Sequence, residues 1–459
     1  MSSGGKSTIP PGPTGHWAFG NRGQFSDDPL AFLQDCARKH GDVVKVAKRT
    51  YLLAAPAAIG TVLGDDGTLY GKADPDPGVR RPAFPASVMN STGAVWQHKR
   101  RTLQPAFSAA LVREAAAQAL AATRSLLREQ DECSATQDMR ALMNGLCAQL
   151  GAGFLLGDPA HAPDLLRMLP MVDAILQQTR RPSVAPAWWP SANRHRLRRA
   201  RADLDLALDR ILARSAQRPP HAASALALLL AEATHGDGDW CRDEAAAILM
   251  SALEPMSAAL TWTVLLLAQH PHIAQQVAQE ANALDDANGA SGTNLLDRLP
   301  LARACVKEAL RLYPPAWITA RIAQRDTTLN GFDVPCGTQL LVSAWVVHRD
   351  GRYFPDPEIF LPARWLDDTA TRLLARYSYF PFGGGPRSCI GSMLALTQMT
   401  VVIATVLRTC NLQLAPDARP SPFPALVLRP LDVRIALQPR PIRAAPAATV
   451  CPAPVSPDA

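Results

Sequence analysis

A mainly α-helical protein with a smaller β-rich region is the fold class this sequence predicts, and three observations predict it. Residues 109–180 are Ala- and Leu-rich and read as mostly helical. Residues 239–269 form a second long apolar run, one helix or a helix pair. Against these stand only short strand-like pieces punctuated by Gly and Pro, at 43–46, 51–53, 327–329, 339–342, 412–414 and 426–437.

The 459 residues have an ordinary apolar share, 47%, and can bury a large core. Nine cysteines are scattered without C-x-x-C pairs or metal-finger spacing, which argues against a disulfide scaffold and for a reducing, cytoplasmic setting. The net charge of +7 is modest for this size, and no basic-aromatic motif accompanies it, so no nucleic-acid partner is expected. Residues 1–13 are Ser/Gly/Pro-rich with no long apolar run, so neither a signal peptide nor a membrane anchor is expected. The organisation expected is a leader over 1–15, one domain over 16–438 and a disordered Pro/Ala tail over 439–459.

In chain order, 29–39 predicts a helix, and the apolar stretches 43–46 and 51–53 predict a hairpin turning at 47–50. Trp96 and Arg100 are four apart and share a helix face; their N–H groups both suit a carboxylate, although spacing alone favours an amphipathic surface helix. Breaks are expected near Gly151-Ala152-Gly153 and Gly157-Asp158-Pro159, and the Pro-rich stretch 181–190 interrupts the helices. Glu308 and Arg311 lie three apart on the helix 301–312, and Arg364 follows in a Pro-punctuated loop; one carboxylate shared by two guanidiniums makes a fixed fork. In 379–391, YFPFGGGPRSCIG, three consecutive glycines and a proline force a tight loop. Cys389 ends that loop just before an apolar helix, where backbone N–H groups stabilise a thiolate.

The pattern Phe382-x-x-Gly385-x-Arg387-x-Cys389-x-Gly391 resembles the haem-thiolate loop of the cytochrome P450 family in every defining position, and the likeness extends over roughly residues 10–437. A buried structural cysteine would explain Cys389 but not the residues around it. The resemblance implies the cytochrome P450 fold and haem b (iron protoporphyrin IX), with Cys389 as the iron's axial ligand and Phe382, Gly385 and Arg387 beside it. It also implies that Trp96, Arg100 and Arg321 hold haem propionates, that His348 lies near the haem edge, and that Lys99 and Arg101 belong to the redox-partner face. Glu308, Arg311 and Arg364 match the family's Glu–Arg–Arg triad.

Taken with the family, the chain is expected to be a soluble, monomeric monooxygenase that receives electrons from a separate ferredoxin or flavodoxin with its reductase and oxidises a small apolar organic substrate. One departure stands out. Over the iron the family usually places an acid followed by Thr, which helps deliver protons; here Glu254 is followed by Pro255. Proline brings no hydroxyl and leaves the carbonyl of Ser251 without its helix donor. Glu254 and Pro255 are therefore the expected catalytic positions, Ser257 is a misplaced substitute for the alcohol, and Glu254 is expected to repel a carboxylate substrate. The alternatives are peroxide-driven or non-hydroxylating chemistry of the same family, or haem binding without catalysis.

Overall fold

The structure is a computed structural model that describes residues 8–16, 20–72, 84–130, 136–180, 192–217, 224–233, 238–282 and 296–440. The stretch 181–190, residues 1–7 of the expected leader and all but the first two residues of the expected tail lie outside the described residues.

One helix organises the rest. Gly238–Gln269 runs unbroken for 32 residues, about 48 Å, with Pro255 inside it. It is apolar nearly all round, with Leu249, Leu253, Leu260, Trp262, Val264 and Leu267 buried, and such a helix belongs in a core. It packs against Met139–Leu156 on one flank and Ser392–Thr409, the helix that follows Cys389, on another. The long apolar stretches in these two helices, Trp240–Gln269 and Ser392–Thr409, would span a membrane by length, but 67% of an apolar 18-residue segment of each is buried inside the protein. Their apolarity is that of a core.

The break expected at Gly151-Ala152-Gly153 does not occur. Met139–Leu156 runs through it and stops at Gly157, whose left-handed backbone (φ 75) returns its N–H to the Gly153 carbonyl at 3.1 Å. Gly151 lies under the central helix: a Cβ there would sit 3.7 Å from a Leu253 methyl and 4.0 Å from Ala252 Cβ, so the glycine serves close packing. The polar segment after Pro271 also hides a helix, Pro271–Ala281, whose Glu280 accepts the N–H groups of Leu301 (2.7 Å) and Ala302 (2.9 Å) at the start of helix Pro300–Leu312.

The β-rich part is a five-stranded mixed sheet. The hairpin Val43–Ala47/Thr50–Leu53 forms its edge, Gln339–Val342 joins parallel to Thr50–Leu53, and Thr319–Ala323 and Tyr70–Lys72 complete it. Arg321 is thereby placed mid-strand, opposite Leu340 and Lys72. The text at 426–437 divides into two strands, Leu428–Leu431 and Arg434–Pro439, because Asp432 turns the chain in the left-handed region (φ 52). Leu428–Leu431 pairs with Ser421–Pro424 in a hairpin that two indoles clamp: Trp262 donates to the Leu428 carbonyl (3.1 Å) and Trp317 to the Ala425 carbonyl (2.8 Å).

Candidate functional site

The cysteine loop is pinned at both ends. The Cys389 N–H donates to the Phe382 carbonyl at 2.9 Å, and Gly385 (φ 68) lies so close to helix Pro56–Gly64 that a Cβ would meet the Leu63 carbonyl oxygen at 1.8 Å. No other residue fits there. Cys389 is solvent-accessible, yet the surrounding protein raises its thiol pKa, while the Gly391 N–H and the Arg100 guanidinium pull it down. In Cys147 burial acts unopposed, and in Cys305 the carboxylates of Glu280 and Glu308 add to it.

Three half-buried arginines gather around this loop. Arg100, one turn beyond Trp96 on helix Gly93–Leu103, donates to the Ser388 carbonyl (3.0 Å). Arg387 donates to the Ser91 carbonyl (3.0 Å) and stacks over the Trp96 ring at 4.6 Å. Arg321 donates to the carbonyl of Ala320 (3.0 Å). Burial lowers the pKa of all three, and the charge of Arg321 lowers that of Arg387 further. Among the described residues no carboxylate pairs with any of them. A thiol backed by three guanidiniums that share no protein anion suits a metal macrocycle bearing carboxylates, so the donor set fits iron protoporphyrin IX.

His348 takes the place of a core histidine behind the cysteine loop. It is fully buried, its Nε2 accepts the Phe380 N–H (2.9 Å), and its carbonyl accepts from Arg311 (2.8 Å). Burial first, then Arg311 and Arg349, push its pKa down to about 3, so it is a neutral strut of the cysteine loop. Lys99 departs from expectation. It is 8% exposed, donates to Ser91 Oγ (3.1 Å) and to the Ala86 carbonyl, and lies over the Trp240 ring, whereas Arg101 is exposed. An apolar core position takes a lysine here because nearby Glu244 and Asp243 offset part of its desolvation.

These two acids start the central helix and anchor the segment before Trp96. Asp243 accepts the Ala86 N–H (2.8 Å) and pairs with Arg201 (3.2 Å); Glu244 accepts the Val88 N–H (2.5 Å). Burial, outweighing Val88 and Lys99, raises the Glu244 pKa to about 7. A carboxyl whose folded pKa lies above its unfolded value stabilises fully below about 4.5 and loses that contribution as pH rises to about 7, a difference of about 3 kcal/mol. Urea unfolding of Glu244→Gln should therefore show a flatter stability profile than wild type between those pH values. Identical profiles would mean the carboxyl titrates normally.

The triad residues come together in the core. Glu308 and Arg311 are 0% exposed and pair in a two-point fork (2.9 Å each), Arg364 donates to the same carboxylate at 3.2 Å, and so do the Trp365 indole (2.8 Å) and the Leu361 N–H (3.0 Å). Trp365 was not legible as a partner, although it stands next to Arg364 in the sequence.

Glu254 sits on the flank of the central helix, where Arg429 of strand Leu428–Leu431 and Arg140 of helix Met139–Leu156 (3.9 Å) hold its carboxylate. With two guanidiniums against it, its charge no longer argues against an anionic substrate. Ser257 is 1% exposed and likewise turned inward. Ile248 and Ile390 pack against the same small cluster, which turns the Ile248 side of the helix toward the cysteine loop; Ser251 and Pro255 follow Ile248 at three and seven residues, close to the same side, and Met89 lies against Ser251. Nothing in one dimension marks Arg429 or Met89, which are 175 and 162 residues from their partners.

A helical fold with an accessible thiol on a glycine loop, ringed by guanidiniums that pair with no described carboxylate, defines a haem-thiolate protein. The chain belongs to the cytochrome P450 family, whose profile matches residues 10–437, and it is a haem-dependent monooxygenase of that family. It is 30% identical over 407 residues to a cyclooctat-9-en-7-ol 5-monooxygenase of Streptomyces melanosporofaciens, covering 84% of this chain and 86% of the relative. It is 28% identical over 429 residues to the cyclooctatin synthase of the same organism, covering 90% and 92%. In fold it matches a retinoic-acid-bound cyanobacterial CYP120A1 with a TM-score of 0.83, over 95% of this chain and 100% of that one, at 23% identity.

Proposed function

We propose that this P450 inserts one oxygen atom from O2 into a compact, largely hydrocarbon carbocycle, in the cytoplasm, with electrons from a separate ferredoxin or flavodoxin and its reductase. The observation that supports the substrate class is the character of the central helix on its Ile248 side: Ile248 and, seven residues on, Pro255 are apolar, and the one acid nearby, Glu254, is turned aside and paired. The two relatives, a cyclooctat-9-en-7-ol 5-monooxygenase and a cyclooctatin synthase, support it.

Cys389 would hold the haem iron, and Arg100, Arg321, Arg387 and Trp96 its carboxylates; the bound haem would supply the oxygen chemistry. The protein's share is placement and protection. Arg100 and the Gly391 N–H favour the thiolate form of Cys389, since both lower its pKa. His348 and the Glu308 fork hold the loop's far side rigid. The exposed Arg101 offers positive charge to an acidic electron carrier.

A second reading keeps its place because Pro255 sits where a hydroxyl is usual: the enzyme would run on peroxide, or give a product with no added oxygen. With redox partners, NADPH and labelled O2, the wild type is expected to yield labelled product at a rate comparable with Pro255→Thr. A positioned proton donor is worth roughly a hundredfold or more. A wild type slower than Pro255→Thr by that factor, or one active only with peroxide, would put the second reading first.

A further inference from the structure

Pro255 changes the chemistry of the residue one turn before it. In a helix the carbonyl of residue 251 accepts from the N–H of residue 255, and proline has none, so the Ser251 carbonyl lacks its i+4 donor. Ser251 is also the exposed hydroxyl of the central helix: Ser257, Thr261 and Thr263 are at most 1% exposed. Its hydroxyl donates to the Ala247 carbonyl at 2.7 Å, with Met89 Sδ as a longer second acceptor at 3.3 Å and Met89 itself 52% exposed, so its proton is engaged within the protein and Oγ keeps its lone pairs. With that proton held inside the protein, one exposed residue offers two hydrogen-bond acceptors, three residues beyond Ile248 on the helix.

We propose that Ser251 is an acceptor notch that binds a hydroxyl on the substrate, so that an otherwise apolar carbocyclic alcohol is held in one orientation and preferred over the matching ketone. The alcohol O–H donates to the Ser251 carbonyl and Oγ. A ketone brings a third acceptor and leaves both unpaired. The notch rests on the carbocyclic substrate proposed above and adds the functional group that orients it.

The probes are 2-decalol and 2-decalone, equal in ring and similar in polarity, titrated into full-length haem-loaded protein by difference spectroscopy. The wild type is expected to bind the alcohol about tenfold more tightly, the scale of one or two buried hydrogen bonds. Pro255→Ala returns an N–H to the Ser251 carbonyl, and Ser251→Ala removes Oγ; each should cut the ratio about threefold, and the double variant should bring it near one. A wild-type ratio near one overturns the notch and assigns those acceptors to water, as does a ratio that survives in the double variant. The carbon monoxide band of the same samples separates the two readings: an intact band with no alcohol preference sinks the notch alone, whereas a missing band in the wild type sinks the haem-thiolate site beneath it.

Discussion

Cys389→Ala is expected to abolish the strongly red-shifted Soret band of the reduced, carbon-monoxide-bound protein and to take monooxygenase activity to background. The expectation rests on geometry and charge together. Among the described cysteines, Cys36, Cys147, Cys241, Cys305 and Cys410 are buried, and Cys336 is exposed but lies by the sheet turn, bonded to the Gln324 carbonyl at 3.2 Å. Cys389 alone has Arg100 and the Gly391 N–H lowering its pKa while the cation group of Arg321 and Arg387 stands near. Burial still raises the thiol pKa on balance, so the thiolate forms when iron replaces the proton. Cys336→Ser, at an accessible thiol engaged by the Gln324 carbonyl, should keep the band. If Cys389→Ala keeps it, the axial ligand lies elsewhere.

Glu308→Ala is expected to leave little soluble, haem-loaded protein. The carboxylate accepts from Arg311 twice, from Arg364, from the Trp365 indole and from the Leu361 N–H, and both Glu308 and Arg311 are wholly buried. Its removal strands a guanidinium in the core, at a cost of about 3–5 kcal/mol, a large part of the stability of most domains. Arg311 would keep its bonds to the carbonyls of His348, Pro357 and Ile359, so the damage should centre on the loop 357–365 and pass through His348 to Phe380. Haem content and urea unfolding measure it. Normal haem loading with a loss under about 1 kcal/mol would mean the group acts like a surface ion pair.

The sequence and the structure divide the explanation along physical lines. Cys389, the glycine loop and the Glu308–Arg311 pair were legible because their chemistry is local: a backbone without Cβ atoms, a thiol before a helix, opposite charges three residues apart. The division into a helical part and a small β part was legible for the same reason, since periodicity and Gly/Pro punctuation are short-range. Where a glycine's reason lay in a neighbour, as at Gly151 under Leu253, the local rule predicted a break that packing removed.

Partnership and facing were decided only by the tertiary structure. Lys99 reads as a docking charge, but the fold buries it beneath Trp240 with Asp243 and Glu244 close by. His348 reads equally as a haem-edge or a core residue, and the fold buries it with its Nε2 on the Phe380 N–H. Glu254 reads as the acid over the iron until Arg429 and Arg140, remote in sequence, claim it from the helix flank. A side chain's charge and hydrogen-bonding capacity belong to the residue itself. Which partner satisfies them depends on desolvation and contact between segments far apart in the chain, and only the folded arrangement supplies those.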